Sequence, residues 1–280
     1  MRLTLEHHGT KYDCSTNEAK SIAIGLDFEG PQPNHFGTDK ASSAVLKLGG
    51  FIGDTKQGGS CNVDVLKMIP HCNGTHTETV SHIVNEDIWV GHAALDFLTL
   101  AMVVTVEPEL GETTGQTYRP ALDNADSVIT SEILLNSIAN VGDSAAIRPG
   151  ALIVRTLPNH VAKISRAYNA ENLPPFFTVE AIEAINDLGI RHLVVDFPSV
   201  DRMNDDGLLT NHHIFWNVIE KSHELSGESW QDKTITEMAY IQDEIPDGIY
   251  ALNLQVPAFG NDAAPSRPVI IPVTAHASSK

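Results

Sequence analysis

The segment HCNGTHTETVSH, residues 71–82, carries Cys72, His76, Glu78 and His82 at spacings of four, two and four. Thiolate sulfur, imidazole nitrogen and carboxylate oxygen are the ligand types that zinc accepts. Side chains alternate between faces in an extended chain, so His76 and Glu78 share a face if the segment is a strand. Gly74 permits a tight backbone turn that lets Cys72 and His76 converge on one ion. Three protein ligands leave one position for water, and zinc lowers the pKa of that water from about 15.7 toward ~7. The result is a nucleophile at neutral pH. Neither the paired C-x-x-C of structural zinc sites nor the H-E-x-x-H of zinc proteases occurs in the segment. Ser81 lies beside His82, but no Ser-His-Asp order accompanies it.

Several elements must position these side chains. Val63 and Val65 alternate in NVDVLKMI, which predicts a strand entering the motif. The Gly/Pro/Asn-rich stretch 29–41 reads as a loop of the kind that covers a site. ALIVRT, 151–156, is a continuous apolar run and predicts a buried strand. TVEAIEAINDLGI predicts a helix capped by Thr178, with Glu180 and Glu183 early, Val179, Ile182 and Ile185 on one face, and Gly189 at its end. HLVVDF, 192–197, follows as a strand, and helix–glycine–strand punctuation gives an α/β class. HIFWNVIEK reads as another helix, and GIYALNLQV and RPVIIPV as late strands. VGHAALDFLTLAMVVTVEPEL reads as a buried helix or a strand pair. No linker divides the chain, so one domain is expected over 1–280, with an N-terminal extension at 1–21 and a core at 22–273.

Composition narrows the function. The 36 acidic residues outnumber the 18 basic ones, for a formal net charge of −18. Nucleic acid and anionic membrane surfaces both need clustered Lys and Arg, so neither is an expected partner. Hydrophobic residues make up 42% of the 280, enough for a sizeable core. The three cysteines, Cys14, Cys61 and Cys72, are odd in number and widely spaced. That pattern is no disulfide framework and fits a reducing cytoplasm. The first 21 residues contain no apolar signal core.

CNGTHTETVSH resembles the H-x-G-T-H-x-D-x-P-x-H signature of the cyclase family, which includes bacterial kynurenine formamidase and isatin hydrolase. LDFEGPQPNHFG, LVVDFPSVD, NHHIFW and TITEMAYI resemble further segments of that family, in the same order, across residues 22–273. The resemblance implies a swivelling β/β/α fold, a mixed sheet with flanking helices, and a homodimer or homotetramer. It also implies a metal-dependent hydrolase of formamides or small cyclic amides. His76 falls on a metal-binding histidine, Glu78 on a metal-binding aspartate, and His82 on the general acid/base. His212 matches the distal metal histidine, with His213 as near rival, and Glu237 matches the distal metal carboxylate.

The chain departs from the signature in three places. Cys72 stands where the family has its first histidine, and His71 is one position out of register. Glu78 is one methylene longer than aspartate, and Val80 replaces proline. A cysteine ligand tilts the site toward zinc and away from manganese or magnesium. The resulting expectation is one or two zinc ions, with manganese as the alternative, held by Cys72, His76, Glu78, His212 and Glu237. His82 would carry protons to and from a small-molecule substrate, because imidazole titrates near neutrality. The competing reading is a non-catalytic binding protein, in which four closed ligands leave no position for water.

Overall fold

In TLAMVVTV the β-branched residues Val103, Val104, Thr105 and Val106 favour a strand over a helix. The stretch 90–110 accordingly contains one long strand, Thr99–Val106, and a short one, Glu109–Leu110. The chain was described with a computed structural model, which covers residues 1–93 and 95–276. Eleven strands build one mixed sheet. In chain order they are β1 (Arg2–His7), β2 (Thr10–Ser15), β3 (Lys20–Ser21), β4 (His76–Glu78), β5 (Thr99–Val106), β6 (Ala151–Thr156), β7 (His192–Val195), β8 (Thr234–Glu237), β9 (Gly248–Asn253), β10 (Ala263–Pro265) and β11 (Val269–Ala275). Their spatial order is β1-β2-β11-β9-β5-β6-β7-β8-β4-β10, with β3 against β11. The four central strands β5 to β8 are parallel, and their neighbours on both sides run antiparallel.

Strand periodicity divides the core between two faces. Met102, Val104, Leu152, Val154, Leu193 and Val195 face one side. That side is covered by α2 (Ser131–Val141), α4 (Val179–Asp187) and α5 (Thr210–Phe215); α1 (Pro70–Asn73) and α3 (Ser144–Ile147) are single turns. Ala101, Val103, Ile153 and Val194 face the other side, against Ile22, Ile241 and Ile245 from connecting segments. In α4 the Thr178 hydroxyl accepts from the Ala181 amide at 3.3 Å, and Gly189 takes φ 73° just past the end. Ile182 and Ile185 of this helix are fully buried, each stabilising the fold by about 1.5–3 kcal/mol.

Two elements differ from the sequence reading. The helix expected over HIFWNVIEK begins earlier and stops at Phe215. Its start is anchored because the Asp201 carboxylate accepts from the Asn211 and His212 amides, and it ends because Asn217 is left-handed, φ 52°. The strand entering the motif, Asp64–Lys67, pairs with Ser42–Val45 in a separate exposed ribbon. The helical turn α1 then separates it from β4. The segment at 1–21 adds β1, β2 and β3 to the main sheet through β11. Among the described residues, no helix is long and apolar enough to cross a membrane.

Candidate metal centre

β4 lies between β8 and β10, with His76 opposite Glu237 and Pro265, and Glu78 opposite Ile235 and Ala263. The strand puts His76 and Glu78 on one face, as their spacing predicts. Thr77 points to the other face, where its hydroxyl meets the Thr236 and Ser266 hydroxyls at 2.7 and 2.8 Å. His76 Nδ1 donates to the Gly74 carbonyl at 3.0 Å. That bond fixes the tautomer and leaves the Nε2 lone pair facing Glu237 Oε2 at 3.4 Å. Glu237 Oε1 is held by the Val200 amide at 2.9 Å. α5 brings in His212, whose Nε2 lies 2.9 Å from Glu78 Oε1 and whose Nδ1 bonds the Asp201 carboxylate. Asp201 also accepts from the Tyr118 hydroxyl at 2.7 Å. His213 is buried too, and among the described residues it joins none of the candidate ligand groups.

The donor set fits a divalent cation. His76 and Glu78 are fully buried; His76 Nε2 makes no hydrogen bond, and Glu78 Oε2 has only a ring nitrogen of His71 at 3.0 Å, outside hydrogen-bond geometry. A buried polar atom without a partner costs about 1–3 kcal/mol, more when charged. A cation between a lone pair and a carboxylate removes that penalty. Imidazole nitrogens and carboxylate oxygens are ordinary ligands for such an ion.

α1 carries His71 and Cys72, and the two side chains diverge. His71 Nδ1 lies 3.0 Å from Glu78 Oε2, and its Nε2 lies 2.8 Å from Asp262 Oδ2. The Cys72 thiol turns to the Thr38 side chain and the cavity wall. Gly74 is extended, φ 163°, so the tight turn expected to join Cys72 to His76 does not form. Among the described residues three sets have ligand atoms within 4.8 Å of one another: His71, His76 and Glu78; Glu78, His82 and His212; and His71, His82 and Asp262. Cys72 is in none of them. Glu237 approaches through His76 at 3.4 Å and His212 at 4.0 Å.

His82 sits in the turn Val80–His82, its ring stacked on His71 at 4.2 Å and its Nδ1 3.3 Å from Asp262 Oδ2. Asp262 reaches the motif because the Thr79 amide donates to its carbonyl at 3.0 Å, where β10 begins to pair with β4. No local pattern marks Asp262 in the sequence.

Charge is tightly balanced. Burial pushes the Glu78 carboxyl up, but His82 and His212 outweigh it and hold the group well below the usual carboxylate range. Burial pushes His212 down, and the Glu78 and Asp201 carboxylates overcome this and raise it well above the ordinary imidazole value. For His71, the Asp262 and Glu78 carboxylates overcome burial and raise it to about 10. Protons and a cation thus compete for the same lone pairs.

Above the cluster lies a cavity of about 110 Å³ walled by His35, Phe36, Cys72, His82, Met203 and Glu237. The loop at 29–41 does wall the site. His35 is 2% exposed, neither ring nitrogen has a partner, and burial pushes it down to about 4. Sequence reasoning passed over it. Phe36 stands half out of the mouth with φ 61°, whereas Phe197, Phe215 and Trp216 are core residues.

A family sequence model described as "Putative cyclase" matches residues 3–202. No curated protein sequence matches. Solved structures do. A "predicted metal-dependent hydrolase" from Bacillus stearothermophilus is 14% identical with TM-score 0.56, covering 90% of this chain and 97% of its own. Isatin hydrolase A from Labrenzia aggregata is 16% identical with TM-score 0.56, covering 90% and 93%. Isatin hydrolase A from Ralstonia solanacearum is 13% identical with TM-score 0.58, covering 91% and 92%. At such identity the likeness establishes the fold.

Proposed function

Because the chain belongs to the cyclase family, we propose that it is a metal-dependent hydrolase of a small formamide, amide, cyclic amide or lactone. The observation that carries this reading is the pair of buried atoms that make no hydrogen bond, His76 Nε2 and Glu78 Oε2, at the base of a cavity edged by His82. The similar structures named as a metal-dependent hydrolase and as isatin hydrolases support it. His76, Glu78, His212 and Glu237 would hold one or two cations, zinc first and manganese second. When bound, the cation supplies Lewis acidity that polarises a carbonyl and acidifies water.

The protein supplies the rest. His82 donates its Nδ1–H to Asp262, so its Nε2 lone pair faces the site and takes a proton from the attacking water. The same nitrogen returns that proton to the departing nitrogen or oxygen as the C–N or C–O bond breaks. Asp262 keeps the ring in that tautomer. Asp201 holds His212 in place in the same manner. His35 offers its unpartnered nitrogens to a polar group of the ligand, and Phe36 closes the mouth against water. A binding protein with a closed ligand shell has no use for a histidine so held.

The test is hydrolysis of an arylformamide, a cyclic amide and a lactone by zinc-loaded protein. His82→Ala should slow turnover by about 10²–10⁴ with metal content unchanged. Full metal and no turnover of any substrate by the wild type would leave the binding protein instead.

A further inference from the structure

We propose that His71 nitrogen, not Cys72 sulfur, is the remaining donor to this metal centre, with Asp262 as the carboxylate that orients it. The assignment rests on the metal-hydrolase reading of the same site.

The geometry of α1 carries it. The turn Pro70–Asn73 is helical, so successive side chains point about 100° apart. His71 and Cys72 therefore leave the turn in different directions, although both line the same cavity. It is His71 whose nitrogen shares a compact group with His76 and Glu78. Its ring lies 5.0 Å, centroid to centroid, from the His76 ring. Its Nδ1 lies 3.0 Å from Glu78 Oε2 and has an exact counterpart in His212 Nε2, 2.9 Å from Glu78 Oε1. Ligand atoms at ~2.0–2.1 Å around a tetrahedral zinc stand roughly 3.4 Å apart. The 3.0 Å His71–Glu78 and 3.4 Å His76–Glu237 separations are of that size.

The other nitrogen of His71 supports the same role. A metal-bound imidazole characteristically donates its second N–H to a carboxylate. His71 Nε2 lies 2.8 Å from Asp262, as His212 Nδ1 lies against Asp201. Each of the two histidines spans from an outer carboxylate to one oxygen of Glu78. Asp262 also contacts His82, so one carboxylate links a metal donor to the proton carrier. Cys72, meanwhile, faces Thr38 and the cavity wall. The centre then has only nitrogen and oxygen donors. The softness that would favour zinc over manganese is gone, so manganese becomes an admissible occupant.

Cobalt(II) titration of the full-length protein tests this. The wild type should bind cobalt without a sulfur-to-cobalt charge-transfer band in the near ultraviolet. Cys72→Ser should bind the same equivalents with the same spectrum. His71→Ala, checked for folding by circular dichroism, should lose affinity by more than about 100-fold, and Asp262→Asn by about 10–100-fold. A charge-transfer band that disappears in Cys72→Ser, or loss of cobalt in Cys72→Ser alone, overturns the assignment and leaves the hydrolase reading intact. A wild type that binds neither cobalt nor zinc overturns both. Should His71→Ala not fold, the wild-type and Cys72→Ser spectra decide the question.

Discussion

Two buried charged clusters lie at the carboxyl ends of neighbouring parallel strands. One joins Thr156, Lys163 and Asp196, and the other joins His76, Glu78, His212 and Glu237. In the first, Lys163 Nζ donates to Asp196 at 2.7 Å and to the Thr156 carbonyl and hydroxyl at 2.7 and 2.9 Å. Asp196 also accepts from the Thr156 amide and hydroxyl at 3.0 and 2.8 Å. Every charged atom has a partner, so the cluster is complete and needs no ligand. In the second, two carboxylates and two imidazoles converge, yet His76 Nε2 makes no hydrogen bond and Glu78 Oε2 has only the His71 ring nitrogen at 3.0 Å, outside hydrogen-bond geometry. Buried charge does not by itself mark a functional site. Charge left incomplete by the protein does.

The contrast can be broken at either cluster. Lys163→Ala leaves Asp196 buried without its counter-charge and should destabilise the fold by about 3–5 kcal/mol. Urea denaturation checks this, and zinc stoichiometry at low urea should stay at the wild-type value. Glu78→Gln should do the reverse. Zinc affinity should fall by more than about 100-fold, roughly 2.7 kcal/mol, read by calorimetric titration. Equal loss of zinc in both variants would mean that the clusters are not independent.

A third environment sharpens the comparison with a smaller effect. His192 starts β7, at the opposite end of the sheet from Glu237. Its Nδ1 meets the Thr234 hydroxyl at 2.9 Å, its Nε2 has no partner, and burial pushes its pKa down to about 4. The Asp96 and Asp232 carboxylates pull it up but are outweighed by burial and Arg191, whereas Glu78 and Asp201 prevail at His212. The unfolded chain therefore binds a proton near pH 6.5 that the folded chain refuses until about pH 4. Its stability contribution is complete above pH 6.5 and falls by about 1.4 kcal/mol per unit as the pH drops toward 4. Denaturation at several pH values should show a shallower acid slope in His192→Asn than in the wild type. Identical slopes would remove His192 from the account.

Much of this was legible in the sequence, for physical reasons. The period-two spacing of His76 and Glu78 needed only a strand to become a shared face. α4 was legible from its cap, its apolar stripe and its terminal glycine. The first donor was harder, because a single helical turn at 70–73 decides which way each side chain points, and NVDVLKMI suggested a strand running into the motif instead. Asp262 is brought to His71 and His82 by the pairing of β10 with β4, across more than 180 residues of chain, and nothing around it announces that pairing. His35 lay inside a loop correctly read as a cover, but only burial without a partner singles it out. The helix read over HIFWNVIEK was displaced because Asp201, distant in neither sequence nor space, anchors its start at Thr210.

The most direct measurement is arylformamide hydrolysis by tag-free protein stripped with chelator and titrated with zinc. The account expects negligible turnover at the start and a rise that saturates at one or two equivalents. Full activity before any metal is added, or bound zinc without turnover of arylformamide, cyclic amide or lactone, would contradict it.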